Sequence, residues 1–269
     1  THCISSAASD VYKRQDFNGL SLRLVQNFSQ QILKGLNFIH HSGIIHCDLK
    51  PENIMVQLRN DGSEEFIVKI IDFGSSCNED SLSFSYLQSR FYRAPEVVIA
   101  ARYNQKIDIW SFATVIVELY MGNPLFPATN EFQLISMILE HFGPPNKMLI
   151  NKLRHELLSK GPIVNQKDIP KSSPYNTPSS NSTKQTHDGL LWRAFDKEGI
   201  VDFRYLRSKY PKSSFKSCTS TLERTIILQK KRKNERLFKQ FLDVLHKCFL
   251  WDPSKRYSAS ELLSCQFFD

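Results

Sequence analysis

The sequence predicts an α+β chain that is mainly helical, with a few short strands gathered at one cleft. Three observations carry this. Val25, Phe28, Ile32, Leu36 and Ile39 recur at spacings of three and four, so Leu22 to His41 reads as a helix. Ile54-Met55-Val56 and Ile67-Val68-Lys69-Ile70-Ile71 are short apolar runs joined through Asn60-Asp61-Gly62-Ser63, and Asn-Asp-Gly is hairpin-turn chemistry. The run from Asp108-Ile109-Trp110-Ser111 to Met121 is apolar nearly all round, which predicts a buried helix.

The chain has 269 residues, 41% of them hydrophobic, enough for a core in one large domain or two small ones. Six Cys (Cys3, Cys47, Cys77, Cys218, Cys248, Cys265) are scattered without metal-ligand or framework spacing, which suits a reducing compartment. No apolar run approaches the roughly 20 residues of a membrane span, and no signal peptide is visible. An intracellular protein of the cytoplasm, the nucleus or both is expected, with no membrane partner. The net charge of +8 is unevenly placed: Lys147 to Arg236 carries 20 Lys and Arg against 8 Asp and Glu. That basicity belongs to one segment, and nucleic acid is not an expected partner.

Taken in order, residues 1–15 fit nothing downstream. They look like translated adapter sequence and are set aside, the alternative being a genuine flexible terminus. Residues 16–269 form the domain. Phe17 to Leu20 is a turn, and Gly43 stops the first helix. Ile44-Ile45 is a short strand. Asn123 to Pro127 is a loop, and Phe132 to Phe142 a second amphipathic helix, stopped by Gly143-Pro144-Pro145. From about 146 to 234 the pattern weakens into a basic, partly disordered insert. Its Ser172–Gly189 stretch is too polar to order itself. Lys230-Lys231-Arg232-Lys233 is a nuclear address, a docking patch or a solvated helix start. Leu237, Phe238, Phe241, Leu242, Leu245 and Phe249 make a core-facing helical stripe. Asp252-Pro253 turns the chain into a final short helix, Ala259 to Cys265.

The chemistry lies between His46 and Gly74. His46-Cys47-Asp48-Leu49-Lys50-Pro51-Glu52-Asn53 is followed, beyond the hairpin, by Asp72-Phe73-Gly74. Phosphoryl transfer needs a carboxylate for the substrate hydroxyl, a Lys to balance phosphate charge, and an amide with a second carboxylate for Mg²⁺. Asp48, Lys50, Asn53 and Asp72 are those residue types. The two blocks resemble the catalytic and metal-binding loops of a protein kinase. Three further features resemble the dual-specificity tyrosine-phosphorylation-regulated and Yak-like kinases: Cys47 where most kinases have Arg, Ser75-Ser76-Cys77 after Asp-Phe-Gly, and Ser89-Arg90-Phe91-Tyr92-Arg93 before Ala94-Pro95-Glu96.

This resemblance implies a Ser/Thr kinase using ATP and Mg²⁺ on protein substrates, often with Pro after the target and Arg before it. Glu52, Asn53, Met55, Ile71 and Asp72 would face the cofactor, with Met55 on the adenine-pocket floor and Asn53 and Asp72 on the metal. Ser89 would tie the substrate-binding loop to Asp48 and Lys50. Tyr86 would be the autophosphorylated tyrosine, since Phe84 replaces the family's other one. Cys47 cannot pair with a phosphate there, so Arg90 and Arg93 are expected to. His46 and Asp108 would support the loop, and Glu96 with Arg256 would form a buried ion pair.

A glycine-rich phosphate cover and a strand-borne Lys are not found in the sequence. The expectation is therefore a kinase-like large lobe whose small lobe is absent, inactive by itself and partnered by that missing lobe. A non-catalytic scaffold is the competing reading.

Overall fold

A computed structural model describes residues 18–58, 66–80, 82, 87–161, 190–211, 222–229 and 235–269. The first fifteen residues, the hairpin turn at 60–63, Phe84, Tyr86, the 172–189 stretch and the tetrad 230–233 lie outside them.

The first helix, α1, spans Leu22–His41, with Ser21 capping its start by accepting from the Leu24 amide. Its apolar face, including Val25, Phe28, Ile32 and Leu36, is buried. Two small antiparallel sheets follow. Strand β1 (Ile44–Ile45) pairs with β4 (Cys77–Asn78), and β2 (Ile54–Leu58) pairs with β3 (Phe66–Ile70) in the register Ile54↔Ile70. Ile71 falls just past β3, one residue earlier than the apolar run suggests. Strand β4 is two residues long, too short to leave a period in the sequence.

After the short helix α2 (Pro95–Val98), α3 runs from Lys106 to Met121 and is buried along almost its whole length. It ends at Gly122, whose φ of 90° is the left-handed geometry that favours glycine at a helix stop. Helix α4 (Glu131–Phe142) is capped by Asn130. Among the described residues, four helices occupy the stretch where the sequence pattern weakens: α5 (Lys147–Lys160), α6 (Leu190–Arg193), α7 (Phe203–Lys209) and α8 (Leu222–Gln229). Burial of Leu149, Ile150, Leu153 and Leu157 seats α5 in the core, although its polar residues blur its period. Helices α9 (Glu235–Cys248) and α10 (Ala259–Leu263) complete the chain. No described helix is long and apolar enough to cross a membrane.

The core is one continuous cluster around α3. Trp110 sits at its centre, its ring 4.9 Å from that of Phe249 and 5.7 Å from that of Phe142. Helix α1 packs on α3, β3 and α10, so the hairpin and both loops beside it rest on buried helices.

Glu96, at the start of α2, meets Arg256 in a two-pronged ion pair of 2.7 and 3.0 Å. Both side chains are almost wholly buried. Arg256 also donates to the carbonyls of Leu250 and Lys106, which leaves its guanidinium well satisfied. Such a pair gives modest net stability, but losing one partner strands the other charge. Glu96→Gln should therefore destabilise the fold by about 3–5 kcal/mol in urea unfolding; a change under about 1 kcal/mol would mean Arg256 finds water instead.

Candidate active site

A single buried carboxylate fixes the loop between β1 and the hairpin. Asp108 Oδ2 accepts from the His46 amide (2.8 Å) and Oδ1 from the Cys47 amide (3.0 Å), while His40 Nε2 donates to Oδ2 at 2.8 Å. The His46 ring donates from Nε2 to the Ile71 carbonyl (3.1 Å), and its Nδ1 accepts from the Asp48 amide (3.3 Å). One neutral tautomer serves both bonds. The same ring packs edge-on against Phe73 at 5.1 Å. The loop carrying Asp48 and the loop carrying Asp72 are thus tied through His46.

Asp48 is the focus of the local hydrogen bonds. Its Oδ1 accepts from the Ser89 amide (2.9 Å) and hydroxyl (2.8 Å), and its Oδ2 from Lys50 Nζ (2.6 Å). Lys50 also reaches the Ser89 hydroxyl at 3.1 Å. Burial alone would push the Asp48 carboxyl up. The bonds from Lys50 and Ser89 outweigh that and hold it below the usual carboxylate range, so it is ionised at neutral pH.

Asn53 closes the short 3₁₀ turn Pro51–Asn53. Its Nδ2 donates to the Asp48 carbonyl at 2.8 Å, and its carbonyl accepts from the Ile71 amide at 2.9 Å. The hairpin register therefore sets Asn53 beside the segment that carries Asp72. Asp72 has an exposed carboxylate, φ of 63°, and an Oδ1 that accepts from the Gly74 amide at 3.2 Å. Met55 and Ile71 are half-buried on this side. Cys47 is buried, its thiol 3.5 Å from that of Cys77. The hydrogen bond from Cys77, burial and the charge of Asp108 all push the Cys47 thiol up, so it stays protonated.

The other side of Asp48 opens on a groove whose lining includes Lys50, Glu52, Ser89, Tyr92 and Glu118. Burial pushes Glu118 up to about 7; the Tyr92 hydroxyl, donating at 2.8 Å, pulls it down, and the charge of Glu52 pushes it up again. Ser89 of the lining is preceded by Gln88, which is buried and has φ of 66°. Gln88 donates to the Ser111 hydroxyl (2.8 Å) and the Ile107 carbonyl (3.1 Å), and accepts from the Ala94 amide (2.9 Å). Its own carbonyl is turned onto Arg93, accepting from Nε (3.2 Å) and Nη2 (2.8 Å). Arg90 and Arg93 both lie on Glu131, at 3.4 and 3.0 Å.

Of the residues singled out in the sequence, Asp48, Lys50, Asn53 and Ser89 meet within one hydrogen-bonded cluster, with His46 and Asp108 behind it. Glu52 lines the groove. Glu96 and Arg256 lie in the core, and Tyr86 is outside the described residues. Sequence reasoning missed Gln88, Glu118, Glu131 and His40. Glu118 had a usable signal, being the lone acid inside the apolar part of α3. Glu131 had none, since its partner Arg93 is remote in sequence.

The protein kinase domain family model matches residues 3–268. The chain is 35% identical over 255 residues to dual specificity tyrosine-phosphorylation-regulated kinase 3 of Homo sapiens, covering 94% of this chain and 38% of that protein. It is 47% identical over 142 residues to the dual specificity protein kinase YAK1 homolog of Arabidopsis thaliana, covering 52% and 14%. It is 34% identical over 271 residues to the serine/threonine-protein kinase ppk5 of Schizosaccharomyces pombe, covering 99% and 26%. The chain spans under two fifths of the length of these relatives.

The match corrects one expectation. A chain lacking its small lobe is not supported, because the domain model runs over essentially the whole chain. That expectation rested on two missing short motifs, and a motif can be lost from a sequence that still aligns throughout. The inactivity and the scaffold reading built on it lose their basis.

Proposed function

The chain belongs to the protein kinase domain family, on its dual-specificity tyrosine-phosphorylation-regulated branch, and on that premise we propose that this groove transfers the terminal phosphoryl group of ATP to Ser and Thr hydroxyls of protein substrates. The observation that carries the proposal is the Asp48 carboxylate. It is ionised, aimed by Lys50 and Ser89, and backed by a loop that Asp108 pins.

In this reading Asp48 orients the substrate hydroxyl and takes up its proton, while Lys50 balances charge on the transferred group. Asn53 and Asp72 offer hard oxygen donors from adjoining segments, joined where the Asn53 carbonyl accepts from the Ile71 amide. That donor set fits Mg²⁺, which takes one or two protein ligands and completes its shell with phosphates and water. Bound there, Mg²⁺ supplies charge neutralisation on the phosphate oxygens. Met55 and Ile71 give the apolar contact for an adenine ring. Tyr86 is the tyrosine that the protein phosphorylates on itself.

Two features support a substrate preference. The Gln88 carbonyl is turned onto Arg93 by a positive φ, so it offers no acceptor to the amide of the residue after the target hydroxyl. A proline, which has no N–H, loses nothing there, whereas another residue buries an unpaired donor. Glu118 and Glu52 place two acids in the groove, which suits an Arg on the other side of the target.

Incubation of the protein with radiolabelled ATP, Mg²⁺ and Ser-Pro peptides tests the reading. Asp48→Asn and Asp72→Asn should each lose transfer to peptide and to Tyr86 by a factor on the order of 10³. Equal labelling by both variants and the wild type would overturn it. The pH dependence follows from Glu118. With its carboxyl pushed up to about 7, it is neutral below that pH and anionic above it. KM for a peptide with an upstream Arg should fall as pH rises from 6 to 8, relative to one with Ala there, and Glu118→Gln should flatten the difference.

A further inference from the structure

Arg93 holds the Gln88 carbonyl, but Arg93 itself has to be held. Its side chain is only 3% exposed, and its Nε and Nη2 are committed to the carbonyls of Leu87 and Gln88. A buried guanidinium needs a counter-charge. Glu131 supplies one, with Oε1 3.0 Å from Arg93 Nη1.

Glu131 is itself fixed in place. It is the first residue of α4, and the Asn130 side chain caps that helix by accepting from the Gln133 amide at 2.9 Å. Thr129, just before the cap, donates from its amide to Gln133 Oε1, and its carbonyl accepts from Arg90 Nη1. Helix α4 packs against α2 and the 3₁₀ turn Arg90–Tyr92, so the acid reaches the loop from a rigid element. A helix N-terminus favours an anion. Burial works to raise the Glu131 carboxyl, but its own backbone amide, Arg90 and Arg93 hold it below the usual range.

We propose that Glu131 is a positioning residue for substrate choice: by anchoring Arg93 on the Gln88 carbonyl, it keeps the loop closed to an amide donor and open to proline. The inference rests on the reading of Gln88 given above. It assigns specificity to a side chain on a different helix from the catalytic loop and remote in sequence from the residue it governs.

The test is the ratio of kcat/KM for a Ser-Pro peptide to that for its Ser-Ala counterpart. The wild type should favour Ser-Pro by about tenfold or more, the factor expected from one unpaired amide. Glu131→Gln, which keeps the shape and loses the charge, should cut that ratio at least about threefold, mainly through gain on Ser-Ala as the freed Gln88 carbonyl accepts its amide. Glu131→Asp keeps the charge on a shorter arm and should give an intermediate ratio. A purely structural role would lower both peptides equally, and an unchanged ratio in folded Glu131→Gln overturns the proposal. Should Glu131→Gln fail to fold, folded Glu131→Asp decides: a reduced ratio supports the proposal and a wild-type ratio overturns it. A wild type that does not distinguish the peptides would instead defeat the reading of Gln88, with Tyr86 and Ser/Thr transfer left standing.

Discussion

The loop that carries Asp48 depends on Asp108, a wholly buried carboxylate that accepts from the amides of His46 and Cys47 and from the ring of His40. Taking a carboxylate out of water is costly, and three donors on its two oxygens offset that cost. What the interaction achieves is backbone geometry. Cys47 is a non-glycine residue with φ of 66°, a conformation that costs about 1–3 kcal/mol unless its surroundings enforce it. Asp108 grips the amide of that very residue. Three of the four positive-φ non-glycine residues among those described, Cys47, Asp72 and Gln88, lie in the site; Asp108 holds Cys47, Ile107, Ser111 and Ala94 hold Gln88, and Asp72 accepts from the Gly74 amide of its own loop.

Helix α3 carries much of this work along its length. At its start Asp108 holds the loop carrying Asp48. One turn on, the Ser111 hydroxyl accepts from Gln88 and donates to the Tyr92 carbonyl at 2.7 Å, which fixes the loop between Gln88 and Tyr92. Near its end Glu118 meets Tyr92 and lines the groove. The burial that makes the helix apolar is therefore also what aligns the loops. Cys47 fits the same picture. It has no cation to offer the activation segment, and the segment is tied down instead by Ser89 on Asp48 and by Arg90 and Arg93 on Glu131.

Much of this was legible before the structure. Helix periods placed α1, α3, α4 and α9, and the candidate site residues Asp48, Lys50, Asn53 and Asp72 stand in two short blocks. The rest was hidden for physical reasons. Helix α5 mixes polar and apolar residues, and β4 is two residues long. Gln88 looks like an ordinary polar residue until its φ and its turned carbonyl are seen. Glu131 matters through a partner brought near only by packing of α4 on the loop. Absence misled more than presence did: two missing motifs suggested a missing lobe, while the domain match runs through residues 3–268.

Asp108 holds the backbone geometry around Asp48 and does not merely fill the core. Asp108→Asn keeps size and one acceptor oxygen but removes the charge and a bond to one of the loop amides. Single-turnover phosphoryl transfer by this variant, followed alongside its thermal melt, is the direct measurement. The expected result is a rate lowered by about 10- to 100-fold in a protein that still melts cooperatively. A folded Asp108→Asn protein that transfers phosphate at the wild-type rate would contradict it.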